Sequence, residues 1–201
     1  MLIGLGLGPG DPELLTLRAV RLLKEADEVF VPGRIAYDLV RPYREPMILD
    51  FPMTDNESQV LTSMRRNAAI IAPVARMGVA VFGILGDPNF FSTFSRLCAL
   101  MAEDYPEIEC LTEPGISAIT AFAAAANISF AEGFTVSDGG IPDNRILLKV
   151  RRPKECAEDL KKEGYREFIL VERMYFPDMK IYRNRELPEQ SDYLSVMFAR
   201  R

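Results

Sequence analysis

The first third of the chain alternates between short apolar runs and a helical repeat. Residues 2–7 form a mostly apolar run that predicts a strand, and a second run at 29–31 predicts another strand, ended by Pro32-Gly33. Between the two runs, apolar side chains recur along one helical face: Leu15, Ala19, Leu22 and Ala26. Strand, helix and strand in this short space predict a βαβ unit, and therefore a parallel sheet with a right-handed crossover.

Two residues are expected to begin the first helix. Asp11 offers a side chain that caps a helix, and Pro12 fits the first helical position because the missing N–H would have no partner there. Glu13 adds a negative charge in the first turn, which the helix dipole favours. We therefore predict that the helix begins at Asp11-Pro12 and ends near Asp27.

The same alternation continues through the middle of the chain. The run at 79–85 is almost continuously apolar, which is typical of a strand buried on both faces. The segment 34–54 is interrupted by prolines and predicts only one strand. In chain order the pattern predicts a strand at 47–51, a helix at 57–77, strands at 79–85 and 108–111 around a helix at 92–103, and an Ala-rich helix ending at residue 127.

The last part of the chain has shorter, more widely spaced elements. The pattern predicts strands at 134–137, 145–150, 168–172 and 193–199 and a helix at 153–163. These elements favour a mixed or antiparallel sheet, in contrast to the parallel sheet before them. We predict an α/β protein with two lobes: a mainly parallel lobe at 1–112 and a lobe with a mixed sheet at 113–201.

Composition narrows the class of protein. With 201 residues of which 48% are apolar, the chain is long enough to bury a core. It has no apolar run long enough for a membrane span and no secretory signal, so we expect a cytoplasmic protein without membrane partners. The net charge of −5 disfavours a large basic face, so no nucleic-acid partner is expected.

Cysteine and histidine content limits the chemistry. Cys98, Cys110 and Cys156 are odd in number and widely spaced, which favours reduced thiols over disulfides or a zinc site. The chain has no histidine, so histidine-dependent triads and histidine-ligated metals are excluded. No protein-bound metal is expected, and any chemistry must use carboxylates, Tyr, Lys, Arg, backbone groups or a reactive cosubstrate.

Three predicted strands end in turns built from glycine and proline. These turns are Gly8-Pro9-Gly10-Asp11-Pro12, Gly86-Asp87-Pro88 and Pro114-Gly115-Ile116-Ser117-Ala118. Each could be a simple strand-ending turn, but the carboxyl ends of parallel strands meet at one edge of the sheet, where ligands bind. The first turn has Asp11 where a dinucleotide-binding loop needs its third glycine, and no G-K-[ST] follows, so a phosphate-free ligand fits better.

Taken together, the three loops resemble those of the tetrapyrrole (corrin/porphyrin) methylase family. The stretches that carry the resemblance are "GLGPGDPELLTLRAVRLLKEADEVFV", "GILGDPNFFSTF" and "EPGISAITAFAAAA". Other stretches resemble the branch that methylates C20 of precorrin-2 or its cobalt complex: "FPMTDN", "FFSTFSRL", "ILLKV" with "LVERM", and "DYLSVMFARR". The chain departs from the family at "FTVSDGGIPDN", which is shorter than the corresponding region of relatives.

The resemblance implies a bilobal α/β homodimer that binds S-adenosyl-L-methionine between its lobes and transfers the methyl group to a small tetrapyrrole substrate. The family's donor contacts, carried over by motif, fall on Pro9, Leu85, Gly86, Asp87, Phe90, Ser117, Ala118 and Leu148. Thr93 is a further candidate, although Ser92 or Thr93 could instead cap the following helix.

The chemistry implied by the resemblance suits a chain without histidine. A meso carbon of a reduced tetrapyrrole is nucleophilic and the sulfonium methyl is already activated, so displacement needs mainly alignment. Asp87, Tyr37 and water are open candidates for the proton acceptor, and no catalytic residue is assigned. The substrate's carboxylates need basic partners. Candidates for these are Arg34, Arg41, Arg44, Arg65, Arg66 and Lys149.

Three other functions stay open at this point. The chain could be a C11- or C17-methylase of the same family, or resemble diphthine synthase, which methylates a protein side chain. Alternatively, it could bind S-adenosylmethionine or a tetrapyrrole without catalysis, and the short "FTVSDGGIPDN" segment favours this option.

Overall fold

A computed structural model describes residues 1–52, 54–131, 133–137, 139–140 and 142–201. These residues form two compact units, Met1–Gly133 and Phe134–Arg201. None of the helices in the described part of the chain combines the length and the apolar character that crossing a membrane requires.

The first unit contains a five-stranded parallel sheet. Its strands are β1 (Leu2–Gly6), β2 (Glu28–Val31), β3 (Met47–Ile48), β4 (Ala80–Ile84) and β5 (Cys110–Glu113). Their order across the sheet is β3-β2-β4-β1-β5, and the register places Gly4 of β1 between Phe82 of β4 and Thr112 of β5. The carboxyl ends of β4, β1 and β5 therefore lie side by side.

Helices cover both faces of this sheet, as the apolar β4 run predicted. The helices are α1 (Leu17–Glu25), α2 (Arg34–Val40), α3 (Glu57–Met77), α4 (Phe94–Asp104) and α5 (Ala118–Ala125). One core cluster packs Phe82 against side chains of α3 and α4, and a second packs Val81 against side chains of α1 and α2. Adjacent residues of β4 thus point into different cores, which is why the strand has no polar face.

The structure corrects the predicted start of the first helix. Asp11 caps only a 3-10 turn at Pro12–Leu14, where its Oδ1 accepts a hydrogen bond from the Glu13 N–H at 2.9 Å. Helix α1 begins after Thr16, whose Oγ1 accepts from the Ala19 N–H at 3.0 Å. Both side chains fit a cap, and the pattern does not reveal that two short helices follow each other.

The second unit contains an antiparallel sheet under one helix. Its elements are β6 (Asn144–Leu148), α6 (Pro153–Lys162), β7 (Glu167–Glu172), β8 (Lys180–Arg183) and β9 (Ser195–Arg200). The order is β6-β9-β7-β8 and every described pairing is antiparallel, so the sheet is not mixed. Strand β8 was not predicted. Its side chains are mostly exposed, which leaves little apolar signal.

Two further predictions differ from the structure. Residues 134–137 are all exposed and do not form the predicted strand, because no buried face stabilises a strand there. Ser137 Oγ instead donates to the Gly140 carbonyl and accepts from the Gly139 N–H. The predicted boundary between residues 112 and 113 falls inside β5, so the following segment to Gly133 belongs to the first unit. Residues 138 and 141 of the shortened "FTVSDGGIPDN" segment lie outside the described residues.

Candidate active site

The loops after β1 and β4 are joined by backbone hydrogen bonds. The Gly86 N–H donates to the Gly8 carbonyl at 2.7 Å, and the Gly8 N–H donates to the Gly86 carbonyl at 3.3 Å. Gly8 has φ 73° and Gly86 has φ 72°, in the left-handed region that glycine adopts without strain. The glycines predicted to end these strands therefore also connect them.

The loop after β5 packs against both of the others through glycine backbone. A Cβ atom on Gly115 would lie 2.2 Å from the Gly86 carbonyl oxygen, and a Cβ on Gly6 would lie 2.3 Å from the Gly115 nitrogen. No other residue type fits at these contacts without a shift of the backbone. The three loops that the sequence singled out thus meet at one place.

Asp87 fixes the second loop to the third. Its side chain is almost fully buried, at 7% exposure. Oδ1 accepts a hydrogen bond from the Asn89 N–H at 2.8 Å, and Oδ2 accepts one from the Gly115 N–H at 3.2 Å. The carboxylate therefore organises the loops as well as facing the space between them.

A cavity of about 250 Å³ opens between the second and third loops. Its wall is largely apolar, and the amino-terminal end of α5 contributes to it. The residues that line it are Leu85, Gly86, Asp87, Phe90, Phe91, Ser117, Ala118 and Ile119. The Ser117 side chain makes no capping hydrogen bond to the described part of α5, so its hydroxyl is available to a ligand. Such a site suits a ligand with an apolar body and a few polar groups.

The comparison with family models is decisive at this point. The model of the "Tetrapyrrole (Corrin/Porphyrin) Methylases" matches residues 1–186. The chain belongs to the tetrapyrrole methylase family.

Individual relatives of this methylase include two curated proteins and a solved structure. This chain is 30% identical to the probable cobalt-precorrin-2 C(20)-methyltransferase of Methanocaldococcus jannaschii over 222 aligned positions, gaps included, which cover 98% of this chain and 95% of that protein. It is 31% identical to the precorrin-2 C(20)-methyltransferase of a Sinorhizobium species over 151 residues, 66% of this chain and 60% of that protein. The crystal structure of the methyltransferase CobJ shares its fold, with TM-score 0.50, 22% identity and coverage of 98% of this chain and 92% of that one.

Six of the nine predicted donor contacts of the methylase line the cavity. These are Leu85, Gly86, Asp87, Phe90, Ser117 and Ala118. Phe91 and Ile119 also line it and were not predicted. Phe91 has φ 50°, which is uncommon for a bulky residue, and Ile119 lies in the first turn of α5. In the sequence, only their positions next to the predicted contacts Phe90 and Ala118 could have indicated that Phe91 and Ile119 line the cavity.

The other three predicted contacts lie elsewhere. Pro9 and Thr93 are exposed and are not part of the cavity wall, and Leu148, in the second unit, is 68% exposed. At the start of α4, Ser92 Oγ accepts from the Phe94 N–H at 3.1 Å, so Ser92 takes the capping role considered for it and Thr93. Donor binding by Pro9, Thr93 and Leu148 stays a prediction.

The predicted carboxylate-binding residues fall into two groups. Three are engaged: Arg34 pairs with Asp38 at 3.0 Å, Arg65 pairs with Glu103 and Asp104, and Arg44 donates to the Asp27 carbonyl. The remaining three make no ion pair with any described carboxylate: Arg41, Arg66 and Lys149. To bind a substrate, Arg34 and Arg65 would have to break an ion pair, and Arg44 would have to leave the Asp27 carbonyl.

The proton-acceptor candidates are also engaged. The Tyr37 hydroxyl donates to Glu45, and this hydrogen bond raises the pKa of Tyr37, with smaller contributions from burial and the Glu45 charge. A raised pKa keeps the phenol protonated, so little phenolate is present to accept a proton. Both Asp87 oxygens already accept backbone hydrogen bonds, as described above.

The hydrogen bond between Cys98 and Cys110 shifts the pKa values of the two thiols in opposite directions and lowers that of Cys110. Cys98, Cys110 and Cys156 are free thiols. A hydrogen bond with Cys110 raises the pKa of Cys98, and burial raises that of Cys156, which keeps both protonated and unreactive. Within the described ranges, no group of three or more acidic, cysteine or histidine side chains could hold a metal ion.

Proposed function

We propose that this methylase transfers the methyl group of S-adenosyl-L-methionine to C20 of precorrin-2, either metal-free or as its cobalt complex, in cobalamin biosynthesis. The observation that carries the proposal is the match, over 98% of the chain, to a relative named as a probable cobalt-precorrin-2 C(20)-methyltransferase. The second relative, named for the metal-free substrate, supports the same carbon but leaves the metal state open.

The cavity in the first unit supports donor binding. Its wall of Leu85, Phe90, Phe91 and Ile119 suits the apolar parts of the donor, and Ser117 and the start of α5 offer polar groups. Asp87 adds a buried negative charge, which favours a cationic ligand because charges interact strongly where water is excluded. At about 250 Å³ the cavity is smaller than the roughly 300–1,000 Å³ typical of small-molecule sites, so it would hold part of the donor.

The donor, when bound, supplies an already activated methyl group. The chain's own task is then to hold that group in line with the nucleophilic carbon and to exclude water. The glycine contacts of Gly6, Gly86 and Gly115 suit this task, because loops fixed backbone to backbone hold their position with little flexibility. No histidine is needed for such a displacement, in agreement with the composition.

We infer that Tyr37 does not take the displaced proton, because its hydroxyl is held protonated by Glu45. Each Asp87 oxygen accepts one backbone hydrogen bond, from Asn89 or Gly115, and keeps a second lone pair. Asp87 and water are therefore the two candidates for the base that removes the proton after the methyl group has been transferred.

A methyl-transfer assay tests the proposal. The purified chain is incubated with radiolabelled S-adenosylmethionine and one methyl acceptor at a time. The acceptors are cobalt-factor II as the cobalt-loaded substrate, precorrin-2 as the metal-free substrate, and later intermediates that already carry the C20 methyl group. Methylation of either of the first two at C20, located by NMR, is the expected result. Turnover only on later intermediates would assign the C11 or C17 reaction instead. Binding of S-adenosylhomocysteine without turnover on any precursor would favour a binding protein and overturn the proposal.

Two further parts of the proposal concern the protein in the cell. We propose that the protein forms a homodimer and is located in the cytoplasm, and the resemblance to the family supports both. Sedimentation of the purified chain tests the first, and fractionation of cells that express it tests the second.

A further inference from the structure

Two cationic side chains converge on one tyrosine in the second unit. The Lys149 Nζ lies 5.3 Å from the centre of the Tyr193 ring, and the Arg151 Cζ lies 5.2 Å from the same centre. Neither cation forms an ion pair with a carboxylate in the described part of the chain. Their neighbours differ in this respect, because Arg152 pairs with Glu155 and Lys154 pairs with Glu189.

The backbone that carries this pair is held in place from two directions. The Lys149 N–H donates to the Ser195 carbonyl at 2.8 Å, and the Ser191 N–H donates to the Arg151 carbonyl at 3.0 Å. Between them, the Val150 carbonyl accepts from the Ser195 hydroxyl at 2.6 Å and from the Ser191 hydroxyl. Lys149 has φ 57°, a conformation uncommon for lysine. The backbone from which both cationic side chains extend is therefore held in a fixed conformation.

The acidic groups around the pair are already engaged. Arg151 lines an open cavity of about 400 Å³ that also contains Glu155 and Asp159. Glu155 pairs with Arg152 at 3.2 Å, and Asp159 pairs with Lys162 at 2.7 Å. Beside Tyr193, Asp192 accepts from the Leu194 N–H at 2.7 Å and faces Arg173. The like charges of Lys149 and Arg151 repel each other, and an external anion would offset this repulsion.

We propose that Lys149, Arg151 and Tyr193 bind a carboxylate side chain of the tetrapyrrole substrate, an inference that rests on the proposed function. The guanidinium of Arg151 presents parallel N–H donors that match the two oxygens of a carboxylate, and the ammonium of Lys149 adds a third charged donor. The contact with the Tyr193 hydroxyl raises the pKa of Lys149, so the ammonium stays protonated, and the contact geometry is the 5.3 Å approach of Nζ to the ring centre. The phenol O–H is itself a hydrogen-bond donor suited to a carboxylate.

Binding of a carboxylate-rich porphyrin tests the site separately from catalysis. Uroporphyrin III is titrated into the full chain with fluorescence detection, for wild type and for the double variant Lys149→Ala/Arg151→Ala. We expect the Kd of the variant to rise about tenfold or more, because charge-assisted hydrogen bonds are lost. Tyr193→Phe should raise Kd less, since it removes one neutral donor. The octamethyl ester of the porphyrin should not distinguish wild type from the double variant.

A matched control removes two cations that each lie beside a single ring. Lys24 lies over Tyr43 and Lys161 lies over Phe168, so Lys24→Ala/Lys161→Ala loses the same charge and the same kind of contact. Its Kd should change less than about twofold, as expected for exposed charges. Affinity for S-adenosylhomocysteine, measured by calorimetry, should be equal in all variants. Equal shifts in the control and the test variant would overturn the inference.

Steady-state kinetics separates this inference from the proposed function. If wild type methylates C20, the double variant should show a raised KM for the tetrapyrrole with kcat nearly unchanged, because the lost contact binds substrate and transition state alike. An unchanged KM would overturn the inference while the function stands. If the wild type methylates no precursor, the proposed function is wrong, and the uroporphyrin titration alone tests the inference. In that case, failure of the wild type to bind the porphyrin would overturn the inference as well.

Discussion

At the scale of single residues, Asp87 has two tasks that a sequence motif merges into one. The motif predicts a ligand contact, and the carboxylate does line the cavity. Its two oxygens also accept the Asn89 and Gly115 N–H groups, so the side chain holds two loops at a fixed distance. A substitution at this position therefore affects stability as well as ligand affinity.

Asp87→Ala should lower the free energy of unfolding by about 1–3 kcal/mol, the usual cost of leaving buried N–H groups without an acceptor. We expect it also to weaken binding of S-adenosylhomocysteine, because the loops that form the cavity lose their connection. Urea unfolding and calorimetry measure the two effects. Asp87→Asn keeps one acceptor oxygen and should lie between wild type and Asp87→Ala. Wild-type values for both quantities in Asp87→Ala would contradict this account.

At the scale of elements, the site depends on how closely three loops approach one another. Each loop follows a parallel strand, and neighbouring strands bring the loops to the same edge of the sheet. At Gly6 and Gly115 the approach is limited by backbone atoms, with no room for a side chain, and the Gly86 carbonyl is one of these atoms. Gly6 and Gly115 are therefore required by packing between elements, whereas Gly86 is required by its φ of 72°.

Gly115→Ala tests this packing. The added Cβ would lie 2.2 Å from the Gly86 oxygen and 2.7 Å from Gly6 Cα, so one loop must move. We expect a loss of about 1–3 kcal/mol in the free energy of unfolding, as for other overpacked sites. Binding of S-adenosylhomocysteine should weaken about tenfold, which corresponds to about 1.4 kcal/mol.

Gly33→Ala is the matched control for this experiment. Gly33 has an extended backbone at φ 168°, and no described atom lies within 4 Å of a Cβ built there. The substitution should change the free energy of unfolding by less than about 0.5 kcal/mol. If Gly115→Ala proved as mild as Gly33→Ala, the close approach of the loops would not matter for the site.

At the scale of the whole molecule, many charged side chains at the surface form ion pairs. The chain has no histidine, so the dependence of stability on acid pH comes from carboxylates. Among the carboxylates that the structure describes, two have clearly lowered pKa values, Glu107 and Asp178. In Glu107 the main cause is a hydrogen bond with its own backbone, followed by the bond with Arg76, and in Asp178 the main cause is the bond with Arg173. Both groups are ionised more readily in the folded chain than in the unfolded chain, where the ordinary values are 4.5 and 3.8.

This difference predicts how stability depends on pH. Because the folded pKa values are lowered, the stabilisation is present above pH 4.5 and is lost as pH falls through the folded values. The urea concentration at the midpoint of unfolding, measured at a series of pH values from neutral to acid, should decrease as the pH falls below 4.5. The double variant Glu107→Gln/Asp178→Asn should show a smaller fall, since neither side chain can then bind a proton. Parallel curves for the variant and wild type would contradict the assignment.

The fold was predictable where burial gives a strong pattern. The apolar run at 79–85 corresponds to β4, which is buried throughout, because a strand covered on both faces admits no polar residue. The exposed strand β8 and the switch from Asp11 to Thr16 at the first helices were not predictable. At those positions the same residues are compatible with several local structures. Contacts with distant parts of the chain determine which of these structures forms.

The sequence by itself determined the class of fold, the exclusion of histidine chemistry and the three glycine loops that belong together, because these depend on residue type and spacing. Only the tertiary structure decided which loop residues line the cavity and that Asp87 ties two loops. It also brought Lys149 to Tyr193, since pairing of β6 with β9 sets Leu148 opposite Val196. Such contacts follow from strand order and register, and these are set by packing over the whole sheet.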